Sequence, residues 1–235
     1  MGEASHVRRL AAAQLGPLPV RGVWHAAGVT ADALLPTQSA ALLRRVFAPK
    51  AHGAWALQAA SASAPLDACV LFSSVASLLG GAGQANYAAA NACLDALAAC
   101  RRAHGEAAVS VQWGAWAEVG MAARGAANER MAAMEAASGF GRVGLAQGLA
   151  ALGVAVRPGA PAVLGVVPVA WSRFLGGGAA VPAFLTAFAP AARGAAAASG
   201  GATTTARTVS LEAVLGMVRR SAGGAVDADA PLMEA

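Results

Sequence analysis

The sequence is short of several residue types, and each shortage removes a class of function. Its 235 residues contain one tyrosine, Tyr87, and one lysine, Lys50, the rest of the 17 basic residues being arginine. Cys69, Cys93 and Cys100 form no CxxC pair, and their odd number argues against a disulfide framework. They read as small buried hydrophobes in a reducing compartment, so the chain is expected in the cytoplasm. His6, His25, His52 and His104 lack metal-ligand spacing, and no metal site is expected. No apolar run reaches the ~18 residues of a membrane span. The opening MGEASHVRRLAAAQLG has no signal-peptide apolar region. His6 stands where a myristoylation signal takes Ser or Thr, so no membrane partner is expected. Only 12% of residues are charged, and the net charge of +5 is spread over single and paired arginines without interleaved aromatics. That distribution argues for a solvated surface and against a nucleic-acid partner.

What is present concentrates in residues 69–102, CVLFSSVASLLGGAGQANYAAANACLDALAACRR. The run CVLF suits a strand buried on both faces, and it stops at two hydroxyls, Ser73 and Ser74. Gly80, Gly81 and Gly83 leave the next loop free to bend. Tyr87 then leads an alanine-rich helix, with Asn91 one turn on and on the same face. In open α/β sheets the working crevice lies beyond the carboxyl ends of the strands. Ser74, Tyr87 and Asn91 are therefore expected in one site.

The flanking chain alternates strand and helix signals. Residues 1–19 form a short lead, and residues 20–24 read as a strand running into His25-Ala26-Ala27-Gly28. Ser39 is a suitable N-cap for a helix carrying Leu42, Leu43, Val46 and Phe47 on one face. Pro49 is expected to kink or restart that helix and so to turn the adjacent Lys50 toward the crevice. The helix of Tyr87 should run to about Arg102 and end at Gly105. Residues 109–113 and 162–169 read as strands, and residues 122–152 as mostly helical. Residues 139–144 (GFGRVG) fit GxGxxG by letter, but MAAMEAAS before them looks helical and no acidic residue lies between Glu135 and Glu212. They are not a dinucleotide loop. Residues 176–207 have the composition of a flexible linker, and Leu211, Val214, Leu215 and Val218 mark a short C-terminal amphipathic helix.

Ser74, Tyr87 and Asn91 fit Ser-x12-Tyr-x3-(Lys or Asn), the active-site pattern of short-chain dehydrogenases/reductases. The longer string LFSSVASLLGGAGQANYAAANACLDALA resembles the ketoreductase domain of modular polyketide synthases. Those domains take their lysine from the preceding helix, as in VFAPKAHGAW here, which points to Lys50. The intervals agree with the family: 24 residues from Lys50 to Ser74, 13 on to Tyr87 and 4 on to Asn91. The resemblance implies an α/β fold, the C-terminal catalytic half of a Rossmann-like, doubly wound parallel sheet over residues 20–175. Residues 208–235 are similar to the start of an acyl-carrier domain and stop before its phosphopantetheine serine.

The resemblance also implies roles. Tyr87 is the general acid, its phenol (pKa ~10 when free) made a better donor by the Lys50 cation, which also feeds a proton relay through a ribose hydroxyl. Ser74 hydrogen-bonds the carbonyl as negative charge develops, and Asn91 positions a relay water or the lysine. NADPH is the hydride source, bordered by Ala27, Gly28, Ser73, Tyr87, Trp113 and Gly114, although Trp113 could equally be core. Substrate handling and stereocontrol fall to Asp32, Leu79, Asn86 and Met121. Asp32 is the retained member of a Leu-Asp-Asp signature, and Leu79 stands where one stereochemical class has tryptophan; both favour a D-configured hydroxyl. The partners are an acyl-carrier-tethered β-ketoacyl substrate and the rest of the synthase polypeptide. The family's pyrophosphate-binding turn belongs far upstream of Lys50, and only 19 residues precede the first strand here, so that half is expected outside this sequence. Two functions follow: a ketoreductase fragment that works with the other half, or a non-catalytic remnant or interaction fragment.

Overall fold

The computed structural model describes residues 5, 7, 9, 20–118, 135, 139–177 and 180–189. Four parallel strands, β1 (Gly22–His25), β2 (Ala68–Ser74), β3 (Val109–Trp113) and β4 (Val163–Val166), lie side by side in sequence order. Parallel strands demand crossovers, and helices supply them. Between β1 and β2 run α1 (Ala40–Phe47), a π-turn (Ala48–His52) and α2 (Gly53–Ala60); β2 leads through α3 (Ala76–Leu79) to α4 (Ala85–Ala103); α5 (Leu145–Ala155) precedes β4. The α/β, Rossmann-like class is as expected.

Alternation along β2 decides which helix covers which face. Cys69 and Leu71 pack with Ala54 of α2 and Leu94, Leu97 and Ala98 of α4. Val70 and Phe72 pack on the other face with Val109, Val111 and Trp113 of β3 and with Ala151, Leu152 and Ala155 of α5. A strand covered on both sides must be apolar at successive positions, which is why CVLF reads as an unbroken run. At the strand entrances the Arg21 guanidinium forms a bidentate pair with Asp67 at 2.8 Å, beside a 2.7 Å bond from the Asp67 N–H to the Arg21 carbonyl.

Local chemistry sets the helix ends. Ser39 Oγ accepts the Leu42 N–H and caps α1 as expected. Pro49 has no N–H to continue the ladder, and the chain answers with a π-turn spanning Lys50 instead of a break. Gly80 and Gly83, at φ of 77° and 70°, supply the two left-handed positions that turn the chain from α3 into α4. Two of the three cysteines depart from the buried expectation: Cys69 is buried, but Cys93 and Cys100 lie exposed on α4. An alanine-rich helix offers apolar residues all round, so sequence does not mark its inner face.

The chain divides into two compact units, one of residues 1–119 and 142–167 and the other of residues 120–141 and 168–235. The first contains the sheet. In the second, Phe140 bridges Val169 antiparallel, and the Trp171 ring stacks on Phe188 at 4.2 Å between centroids. Within residues 176–207, Ala183–Phe188 form a 3-10 helix with Leu185 buried, where Phe184, Leu185 and Phe188 interrupt the small-residue composition. The remaining linker positions, except 176–177, 180–182 and 189, and the expected C-terminal helix lie outside the described residues. Among the described residues no helix is long and apolar enough to cross a membrane.

Candidate active site

The register pairs Ser74 with Trp113 and Trp113 with Val166, so β2, β3 and β4 end in one row, while β1 ends three residues short of it, His25 pairing with Leu71. Lys50 reaches this end from the π-turn. Its side chain is 4% exposed, its Nζ donates to the Phe72 carbonyl at 3.0 Å, and the ammonium stands 5.2 Å from the centroid of the Tyr87 ring. Below it the His25 Nε2 meets the Lys50 carbonyl at 3.1 Å, so the strand end and the π-turn are pinned together. Gly28 lies against the lysine stem so closely that a Cβ there would come within 2.9 Å of Lys50 Cε.

Burial drives the Lys50 ammonium down from its ordinary value to about 8, partly opposed by the negative charge of Asp95. Tyr87 moves the other way. Burial raises its phenol above the ordinary value, against the pull of the Asn91 and Ser74 side chains beside it, and the Asp32 charge adds to the rise. The Lys50 ammonium faces the ring and donates to a backbone carbonyl.

The other expected residues fall into three groups. Ser74, Tyr87 and Asn91 come together with Lys50: Ser74 Oγ accepts the Ala76 N–H at 3.2 Å, and Asn91 Nδ2 donates to the Tyr87 carbonyl at 2.8 Å. Asn91 is fully buried, and among the described residues its Oδ1 has no hydrogen-bond partner. The Ser73 hydroxyl is spent on the Asn91 carbonyl at 3.3 Å, which ties β2 to α4. A second group stitches the loop after β1 to the start of α4. Asn86 Nδ2 donates to Ala31 O at 2.8 Å, Ala33 N–H donates to Gly83 O at 2.9 Å, and Gln84 Nε2 lies 3.3 Å from an Asp32 carboxylate oxygen. The Asn86 Oδ1 accepts the otherwise unpaired Tyr87 N–H at 2.7 Å. Ala27 follows the buried His25 at the end of β1, and Leu79 ends α3.

The third group is the aromatic floor. Trp113 is buried, 5.7 Å from the Phe72 ring and 4.7 Å from Trp116, which fits the core reading of this tryptophan. Gly114 abuts Val167, where a Cβ would come within 2.7 Å. Met121 lies outside the described residues. One residue escaped the sequence reading. Asp95, on α4 one turn beyond Asn91, accepts from Ser77, Ser110 and Gln112. Its signal was the repeat of Tyr87, Asn91 and Asp95 at i, i+4, i+8 on one helix face.

The arrangement can hold a carbonyl against two hydroxyls, Ser74 and Tyr87, beside a single buried cation. Comparison with known proteins agrees. A phthioceranic/hydroxyphthioceranic acid synthase of Mycobacterium bovis is 50% identical over 113 residues, which are 48% of this chain and 5% of that protein. The polyketide synthase GfsB of Streptomyces halstedii is 44% identical over 181 residues, 77% of this chain and 3% of that protein. Among solved structures, an A-type ketoreductase from a modular polyketide synthase superposes with a TM-score of 0.68 at 34% identity, covering 74% of this chain and 36% of that one. The ketoreductase from the first module of phoslactomycin biosynthesis in Streptomyces sp. HK803 gives 0.67 at 37% identity, covering 81% and 41%. The chain thus spans a small part of the synthases and well under half of the ketoreductases it matches. Residues 2–118 match the KR domain, and with these relatives the chain belongs to the ketoreductase domain family of polyketide synthases.

Proposed function

We propose that this chain carries the catalytic half of a ketoreductase that reduces a β-ketoacyl thioester on an acyl carrier to the β-hydroxyacyl thioester, with NADPH as reductant. The observation that carries the reading is the lone lysine, buried and facing the lone tyrosine, with Ser74 and Asn91 beside the phenol. The residues fit such a cofactor. Gly28 lies against the Lys50 stem, where a Cβ would come within 2.9 Å of Cε, and among the described residues Asn91 Oδ1 and His25 Nδ1 are buried acceptors without partners. Lys50, Tyr87, Ala27 and Gly28 would hold its nicotinamide end, with Ser73, Trp113 and Gly114 shaping the floor. Bound there, NADPH would supply the hydride.

The chain's own residues then handle one proton and one developing charge. Ser74 Oγ and Tyr87 Oη hydrogen-bond the carbonyl oxygen, and Tyr87 gives up its proton as that oxygen becomes an alkoxide. A phenol held above its ordinary pKa stays loaded until that moment. An ammonium depressed to about 8 returns a proton to the phenolate downhill. Asp32, tethered by Gln84, borders the substrate entrance with Asn86 and Leu79, and a D-configured hydroxyl product is proposed from Asp32 and Leu79.

One feature favours a requirement for the rest of the synthase. Among the described residues β1 is an edge strand, and its Trp24 is 56% exposed, as suits a strand whose second neighbour and face cover come from a cofactor-binding segment. The test is NADPH oxidation on a β-ketoacyl thioester by a synthase module containing this segment, with product configuration read by chiral chromatography. Tyr87→Phe should abolish turnover while leaving NADPH affinity within a few-fold. Wild-type NADPH affinity without any turnover would instead support the remnant reading. Turnover surviving Tyr87→Phe would refute the proposal.

A further inference from the structure

Asp95 is a part-buried carboxylate that the proton transfer above does not use. It accepts from Ser77 Oγ at 2.7 Å, Ser110 Oγ at 2.6 Å and Gln112 Nε2 at 2.8 Å, so three elements meet on it: α3, β3 and its own α4. The Ser77 end matters most. Ser77 Oγ also stands 2.8 Å from the carbonyl of Ser74 and accepts from Gln112 Nε2 at 2.9 Å. A hydroxyl has one proton, which must choose between the Ser74 carbonyl and the Asp95 carboxylate. The charged acceptor is the stronger. With Asp95 ionised, the short α3 helix is therefore drawn onto the Tyr87 helix through Ser77, and Ser74, one residue before that turn, is held at a set height beside the phenol. The same charge opposes the burial that discharges Lys50.

We propose that Asp95 is a positioning residue of the reductase site: through Ser77 and Gln112 it fixes the Ser74 turn against the Tyr87 helix. This rests on the ketoreductase reading for its effect on turnover, but the geometry has a readout of its own. Lys50 is the only lysine in the sequence, so its titration can be followed without ambiguity from the neighbours. The titratable groups about it are His25 from β1, Tyr87 and Asp95 from α4, and the exposed His52 on its own turn; β2 offers the Phe72 carbonyl.

The experiment compares wild type, Asp95→Asn and Ser77→Ala in the full chain, titrating Lys50 by the pH dependence of its acylation. It is paired with kcat and KM in the synthase module. In Asp95→Asn the Lys50 titration should fall by a further half unit or so, whereas loss of folding would raise it toward the free value. In Ser77→Ala, which keeps the charge and cuts the bridge, the titration should stay put. Both variants should lose on the order of tenfold or more in kcat with KM within a few-fold. An unchanged or raised Lys50 titration in Asp95→Asn overturns the placement of Asp95 beside the site, and wild-type kcat in Ser77→Ala overturns the bridge. If the wild-type module does not turn over, the ketoreductase reading fails by itself and the titration alone decides for or against that placement.

Discussion

Replacing Lys50 by methionine should stabilise the protein while disabling it. The ammonium titrates at about 8 instead of 10.5 because burial removes its hydration. At ~1.4 kcal/mol per pH unit, keeping it charged at pH 7 costs on the order of 3 kcal/mol of folding stability. Methionine fills the same channel without charge, leaving the Phe72 carbonyl short of one donor, a loss of about 1 kcal/mol. Lys50→Met should therefore gain about 2 kcal/mol at pH 7 and lose turnover, the trade expected of a strained functional group. The pH dependence carries the sharper sign. Between pH 8 and 10.5 the unfolded chain still binds the lysine proton and the folded one does not, so wild-type stability rises with pH through that window. The variant lacks that rise. Cys69 and Tyr87, both raised by burial, pull stability down at high pH in both proteins and cancel in the difference. Urea unfolding followed by tryptophan fluorescence from pH 7 to 10 measures it. A variant less stable than wild type at pH 7, or a stability difference that does not shrink as pH rises, would refute the buried-ammonium argument.

Further perturbations test the supports of the site. In Gly28→Ala the new methyl meets the flexible end of Lys50 at 2.9 Å, so stability should change by less than about 1 kcal/mol while Lys50 is displaced; its acylation titration should rise and turnover fall. In Gly148→Ala the methyl would fall 2.1 Å from the Trp116 ring, which rests on Trp113, and urea unfolding should show a loss of roughly 1–3 kcal/mol. His25 is held below its ordinary pKa mainly by burial, so the folded protein refuses a proton the unfolded chain accepts, and stability should fall as pH drops below 6.5. His25→Gln should flatten that acid limb in a thermal melt.

Much of the fold is legible because its signals are local. The CVLF run locates β2, which extends through both serines, and Ser39 caps α1 at the residue its chemistry requires. Residues 20–24 and 162–169 mark β1 and β4, whose observed ends are Gly22–His25 and Val163–Val166; pairing with a neighbour sets those ends, and a lone segment does not contain it. Alanine-rich α4 shows the limit. Cys93 and Cys100 face outward there although their type favours burial.

The order of elements, the cap of α1, the grouping of Tyr87, Asn91 and Asp95 on one helix face and the spacing of the site residues are written in the sequence, because each depends on residues a few positions apart. Tertiary structure alone decides which way Lys50 points and what that does to its charge. A π-turn through Pro49 swings it against the Tyr87 ring, and burial then moves two pKa values in opposite directions. Desolvation is set by what packs around a group from distant parts of the chain, so no pattern along the sequence encodes its sign.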